Sequence, residues 1–262
     1  MKQPLNIAGI EGFIEGEGPE TIVMIHGWPD TWRVWDAQIA YFKQHYRCAY
    51  FTLPGFAQQD TQAYSFQQVI ETIRDVVNAA SPDKPVILML HDWGCFYGYQ
   101  YALQYPERVS KIIGVDVGDA HSKRFARGLT PKDIAIIMSY QLPLAAAYKL
   151  GGKLGQRLAS GVAKVLKAPA DPASITSNKG YPYYVRWANA LGGFKDAIDQ
   201  PFQCPIFYIY ATQKPIMFHS RKWARDLAEQ EGNKVQAFNT SHWVMIDDAA
   251  GFNQAVHGWL ST

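Results

Sequence analysis

Asp92 lies where a buried apolar run gives way to a helical pattern. The segment Val86-Ile87-Leu88-Met89-Leu90 leads directly into His91-Asp92-Trp93-Gly94-Cys95. A sharp strand-to-helix turn presents its central side chain at the top of a sheet, with the N–H groups of the following residues and the helix N-terminus aimed at it. An aspartate there can cap the helix, or it can attack a substrate. The residue type decides what an attack achieves. A serine joined to a saturated carbon gives an ether that water does not readily cleave, whereas an aspartate gives an alkyl ester whose carbonyl carbon stays open to attack. A nucleophilic Asp92 therefore favours substrates attacked at an sp³ carbon. Epoxides and alkyl halides are the obvious candidates, because ring strain or a good leaving group makes the displacement feasible.

These residues need a scaffold, and the hydrophobic pattern supplies one. Apolar and β-branched runs recur at Thr21 to His26, Tyr46 to Thr52, Pro85 to Leu90, Lys111 to Val117, Pro205 to Tyr210 and Lys234 to Phe238, and they read as buried strands. Helical spacing lies between them, at Trp32 to Gln44, Phe66 to Ala80, Gly94 to Gln104, Arg221 to Gln230 and Phe252 to Leu260. This alternation predicts an α/β fold, a mostly parallel sheet with helices on both faces. It stops after Gly118 and resumes near Phe202. The stretch between is helical in pattern, and Pro131, Pro143, Gly151, Gly152, Pro169, Pro172, Pro182 and Gly192 divide it into several short helices. The expected organisation is a core from residues 1–118 and 201–262, with a helical cap from residues 119–200 over the crevice at the carboxyl ends of the strands.

Composition bounds the partners. With 262 residues, 48% hydrophobic and 18% charged, the chain can bury a large core. The balance of 25 Lys+Arg against 23 Asp+Glu leaves +2, without the basic excess expected of a nucleic-acid binder. No apolar run approaches the roughly 20 residues that span a bilayer, and the N-terminus lacks a signal-peptide core. A cytoplasmic protein with no membrane partner is expected. Cys48, Cys95 and Cys204 are widely spaced packing residues, and no metal-ligand pattern or cofactor motif occurs. Aromatic residues at 14% suit an apolar pocket with polar tips. The expected partners are a small apolar organic substrate and water, and a homodimer is compatible with this reading.

Three segments in order, His26-Gly27-Trp28-Pro29, His91-Asp92-Trp93-Gly94 and Thr240-Ser241-His242-Trp243, resemble the α/β-hydrolase fold. An Asp followed by Trp at the nucleophile position is closer still to epoxide hydrolases and haloalkane dehalogenases. The resemblance spans essentially the whole chain. It implies that Asp92 forms the ester, that His242 activates the hydrolytic water, and that the N–H groups of Trp28 and Trp93 hold the oxyanion. His26 and His91 would organise the loops around the site, while His45, His121, His219 and His257 are assigned to surface or packing. The family's usual acid position holds Lys214, which cannot accept the histidine N–H. Some haloalkane dehalogenases carry the acid instead after the next strand, where this chain has Gly114-Val115-Asp116-Val117. Asp116 is accordingly the expected orienting acid, with a structural role at a strand end as the alternative.

Epoxide opening also needs a proton donor opposite the nucleophile. Ser139-Tyr140-Gln141-Leu142 resembles the segment with the first cap tyrosine of epoxide hydrolases, and Tyr183-Tyr184-Val185-Arg186-Trp187 resembles the second, leaving Tyr183 and Tyr184 as alternatives. Aromatic packing within the cap is the competing role. Halide release would use the Trp93 indole, with Trp187 as a second donor, in place of the Asn that many dehalogenases carry where Trp28 stands. Three departures, Lys214, the bulky Leu90 and the loop Phe51-Thr52-Leu53-Pro54-Gly55, motivate a further alternative, a divergent protein that keeps the pocket for small-molecule binding.

Overall fold

In the computed structural model, which describes residues 2–262, eight strands form one sheet: β1 Gln3–Pro4, β2 Gly12–Glu15, β3 Thr21–Ile25, β4 Arg47–Phe51, β5 Val86–His91, β6 Val109–Val115, β7 Ile206–Ala211 and β8 Lys234–Phe238. Their order is β1-β2-β4-β3-β5-β6-β7-β8. The strands from β4 to β8 are parallel, while β2 runs antiparallel to β4 and β1 antiparallel to β2. The six parallel strands are those that the apolar runs predict. The hairpin of β1 and β2 was not legible, because two and four residues are too few to show a period.

Both faces of the central strands β3 to β7 are largely buried, so these strands are apolar on both sides, whereas the edge strand β8 is mostly half-exposed. On one face Val23, Ile25, Leu88 and Leu90 pack with α2 (Phe66–Ala80) and α3 (Trp93–Gln104). On the other, Ile22, Met24, Ile87 and Met89 pack with α1 (Asp36–Phe42) and the C-terminal α10 (Ala249–Leu260). Helix α2 begins at a capping box, with Ser65 and Gln68 each satisfying the other's backbone N–H. That cap fixes its start at the residue the pattern marks.

Between β6 and β7 the chain is helical: α4 Lys123–Gly128, α5 Pro131–Leu150, α6 Gly152–Val165 and α7 Tyr181–Ala188, joined by short 3-10 turns. One expectation fails here. Pro143 does not divide this stretch but sits inside the 20-residue α5. Its missing N–H removes one helical bond, yet Ile137 on one side and Leu144, Ala145 and Ala147 on the other are buried on a common face, and this packing holds the two halves in line. Helices α8 (Arg221–Ala228) and α9 (Val244–Asp247) complete the chain. No described helix is long and apolar enough to cross a membrane.

The strand order places the chemistry. The connection from β3 goes to β4 on one side, and β5 then lies on the other side of β3, which opens a crevice at the strands' carboxyl ends. Gly27 follows β3, Asp92 follows β5 and Asp116 follows β6. Residues far apart in sequence thus meet at one edge of the sheet.

Candidate active site

Asp92 occupies a left-handed backbone conformation, φ 54° and ψ −121°, between β5 and α3. A non-glycine residue there is strained, and such strain persists only where its surroundings impose it. Three glycines let the surroundings close in. A Cβ on Gly27 would meet the Asp92 carboxylate and the Trp93 N–H, and one on Gly94 would meet the Ile25 carbonyl. A Cβ on Gly98 would strike the Leu90 side chain. The bulky Leu90 is therefore accommodated by the absence of a side chain at Gly98, early in α3.

The two oxygens of Asp92 have different surroundings. Oδ1 accepts the Trp28 N–H at 2.7 Å, and the Trp93 N–H also favours the ionised form. Oδ2 faces Nε2 of His242 at 3.5 Å. Burial opposes ionisation of this carboxyl, but the His242 hydrogen bond and charge and the Trp93 N–H outweigh it, and the net shift is below the usual carboxylate range.

His242 stands between two carboxylates. Its Nδ1 is 2.5 Å from Oδ2 of Asp116, which fixes the ring with Nε2 toward Asp92. Burial alone would lower its pKa, but hydrogen bonds and charges from Asp116 and Asp92 raise it to about 9. His91 hydrogen-bonds the His242 carbonyl through Nε2 at 3.1 Å, and the two rings lie 4.5 Å apart. His91 is fully buried with a pKa lowered to about 3, so it is neutral and acts as a donor. His26 is likewise neutral. It accepts the Leu53 N–H at 2.9 Å and bonds the Gly27 carbonyl at 3.0 Å. The departing loop Phe51 to Gly55 is thereby still tied to the His26 turn.

Asp116 is fully buried, with φ 67°. Its Oδ1 accepts the Ala211 N–H at 2.7 Å and pairs with Nζ of Lys214 at 2.6 Å. Burial opposes its ionisation, but Lys214 and His242 hold it below the usual carboxylate range. Lys214, which stands where an acid was sought, is thus the counter-ion of the acid supplied from the neighbouring strand.

Tyr140, Gln141 and Tyr183 line, with Asp92 and Trp93, a cavity of about 50 Å³. The ring of Tyr183 packs edge-on against Trp93 at 5.2 Å and Trp28 at 6.2 Å. Tyr184 lies elsewhere, against Tyr148 at 5.3 Å, because residues adjacent on a helix point in different directions. Trp187 is 40% exposed and does not line the cavity. Its indole donates to Oε1 of Gln141 at 3.0 Å. That bond orients the amide, whose Nε2 then donates to the Tyr140 hydroxyl at 2.9 Å, leaving the tyrosine proton free for another acceptor. Gln141, His121 and Arg186 also belong to the cavity wall. Nothing in the sequence singles out Gln141 or Arg186 beyond their places beside the tyrosines, and the expected role of His121 was at the surface or in packing.

A family model described as the alpha/beta hydrolase fold matches residues 20–249. The chain belongs to that family. Within this α/β-hydrolase family it resembles epoxide hydrolases. It is 35% identical over 96 residues to epoxide hydrolase 1 of Caenorhabditis elegans, a match covering 35% of this chain and 24% of that protein. The match thus spans about a quarter of the relative's length. Over nearly its full length, 98% of this chain and 97% of the other, it is 24% identical to the AB hydrolase superfamily protein YfhM of Bacillus subtilis. A crystal structure of an epoxide hydrolase from Bacillus megaterium, in complex with an inhibitor, superposes with a TM-score of 0.75 at 20% identity, covering 99% of this chain and 100% of the other. That likeness concerns the fold.

Proposed function

We propose that this α/β hydrolase opens epoxides to vicinal diols through a covalent ester on Asp92. Oδ2 of Asp92 attacks a ring carbon and the C–O bond breaks. Tyr140 or Tyr183 gives its proton to the leaving oxygen. His242 Nε2 then takes a proton from water, and the resulting hydroxide attacks the carbonyl carbon of the ester. The tetrahedral oxyanion forms on Oδ1, facing the N–H groups of Trp28 and Trp93. Its collapse expels the diol, which takes its proton from the imidazolium, and the carboxylic acid left on Asp92 returns its proton to the tyrosinate. The observation that carries this reading is the division between the Asp92 oxygens, one on the Trp28 N–H at 2.7 Å and the other facing His242. The helices between β6 and β7 act as the cap that excludes water from the first step.

The charge arrangement supports the two-step order. In the free protein Asp92 and Asp116 together hold His242 protonated near neutral pH. Alkylation turns Asp92 into a neutral ester, which removes one of the two anions and lowers the affinity of His242 for its proton. The base therefore becomes available once there is an ester to hydrolyse. Single-turnover reaction in ¹⁸O-labelled water should leave one label in Asp92, read from the mass of the peptide that contains it. Turnover that leaves this peptide unlabelled would rule out the ester.

A second reading, halide release from alkyl halides by the same first step, is favoured by the Trp93 indole, whose buried Nε1 has no hydrogen-bond partner among the described residues. Product analysis separates the two. Diol without halide supports the epoxide reading, and halide released from bromoalkanes supports the other.

A further inference from the structure

Arg186 sits three residues after Tyr183 on α7, one turn along, so both side chains share a face and both line the cavity that holds Asp92. Its Nη1 donates to Nδ1 of His121 at 2.8 Å. That ring is exposed on one side and stacked on Phe96 on the other, with centroids 3.9 Å apart, and the loss of water on the stacked side together with the Arg186 charge lowers its affinity for a proton. A guanidinium has five N–H donors, and a neutral imidazole nitrogen occupies one. No carboxylate among the described residues pairs with this guanidinium, and the titratable groups that bear on its charge are the hydroxyls of Tyr140 and Tyr183. Each of those hydroxyls feels both Asp92 and Arg186, with opposite effect. Tyr140, Tyr183, Asp92 and Arg186 thus line one cavity, and its anion and cation form no ion pair with each other. Arg186 is half-buried in the cavity wall, and a guanidinium with open donors and no counter-ion there is available to pair with an anionic ligand.

We propose that Arg186, oriented by His121, binds a carboxylate of the substrate while the electrophilic carbon of the same molecule faces Asp92. This rests on the hydrolase reading and narrows its substrate class to short epoxy acids. A second anion beside Asp92 would be repelled without a local cation, and Arg186 supplies that cation in the wall of the same cavity. Asp92 and Arg186 line the same small cavity, so the carboxylate and the electrophilic carbon lie close together in the molecule, and the acid is short. Val117, Phe125, Ile137 and Phe218 form apolar wall around it. The wholly apolar substrate suggested by the composition is replaced by an amphiphilic one.

The test compares glycidate, an epoxide bearing a carboxylate, with glycidamide, its neutral analogue of similar size. Wild-type protein should favour glycidate in kcat/KM. Arg186→Gln should lower the glycidate-to-glycidamide ratio by about 10- to 150-fold, the range of a hydrogen bond to a charged group, mainly through KM, and Arg186→Lys should restore part of it. Equal kcat/KM for the two epoxides, or a ratio unchanged in Arg186→Gln, overturns the inference. If such a result comes with ¹⁸O in Asp92 from glycidamide, the hydrolase reading survives alone. If neither epoxide reacts, the hydrolase reading fails, and calorimetric titration with glycerate then decides the anion site. Binding lost in Arg186→Gln supports it, whereas no binding, or binding that persists in the variant, overturns it.

Discussion

Asp116 is asked to orient His242 while it also neutralises Lys214, and a double-mutant cycle separates the two duties. Asp116 is fully buried, the Lys214 side chain is 7% exposed, and their charged atoms are 2.6 Å apart. Asp116→Asn leaves the ammonium buried without its anion. Breaking a buried pair in this way costs about 3–5 kcal/mol, which corresponds to a fall in Tm of roughly 6–20 °C for a chain of this size. Lys214→Met should cost less, because Asp116 retains His242 Nδ1 and the Ala211 N–H. The double variant removes both charges, so its stability should lie well above the sum of the single effects and recover to within about 1–2 kcal/mol of wild type. Its activity should not recover. Without a carboxylate on Nδ1 the imidazole loses its fixed tautomer, and ester hydrolysis should fall on the order of 10³- to 10⁴-fold in both variants that lack Asp116, by analogy with other triads. Urea melts give the stability cycle, and rapid quench with intact-protein mass separates ester formation from hydrolysis. Additive losses of stability would show that Lys214 and Asp116 are not coupled. Unimpaired hydrolysis in Asp116→Asn would assign the orienting role to another group.

His242→Gln should form the ester but not clear it, so that the mass of one substrate molecule accumulates on the protein; steady multiple turnover in this variant removes His242 from the mechanism. The folded pKa of His242, about 9 against an ordinary 6.5, makes its contribution fully present below pH 6.5 and lost as the pH rises through 9. The stability difference between wild type and His242→Gln should therefore shrink by about 3 kcal/mol over that window, and urea midpoints that keep a constant difference would contradict the assignment. Gly98→Ala should destabilise by about 1–3 kcal/mol through collision with Leu90. Adding Leu90→Ala should return part of that loss, and an unaltered melting curve for Gly98→Ala would mean that Leu90 is not held by that contact.

Much of the architecture was legible because it follows from local rules. Both faces of the central parallel strands are covered, so they appear as apolar runs, and the Ser65–Gln68 box marks the start of α2 at the residue where it begins. The strand-to-helix turn at Asp92 could be read in the same way, since an apolar run passes directly into a helix there. The β1–β2 hairpin and the uninterrupted α5 could not, because two- to four-residue strands carry no period and the helix crosses Pro143 on packing alone.

By itself the amino-acid order determined that a carboxylate is presented where α/β hydrolases hold their nucleophile, and that His242 and Asp116 follow it at the ends of later elements. Only the tertiary structure decided which groups meet. Tyr183 enters the cavity and Tyr184 does not, because successive helix residues point apart. Lys214 becomes a counter-ion because β6 and β7 are neighbours in the sheet. Arg186 lines the cavity that holds Asp92 because α7 lies over the carboxyl ends of the strands. Local pattern encodes the torsion and burial of each element, whereas pairings of charge across 98 residues, as between Asp116 and Lys214, exist only once the sheet has brought the chain back beside itself.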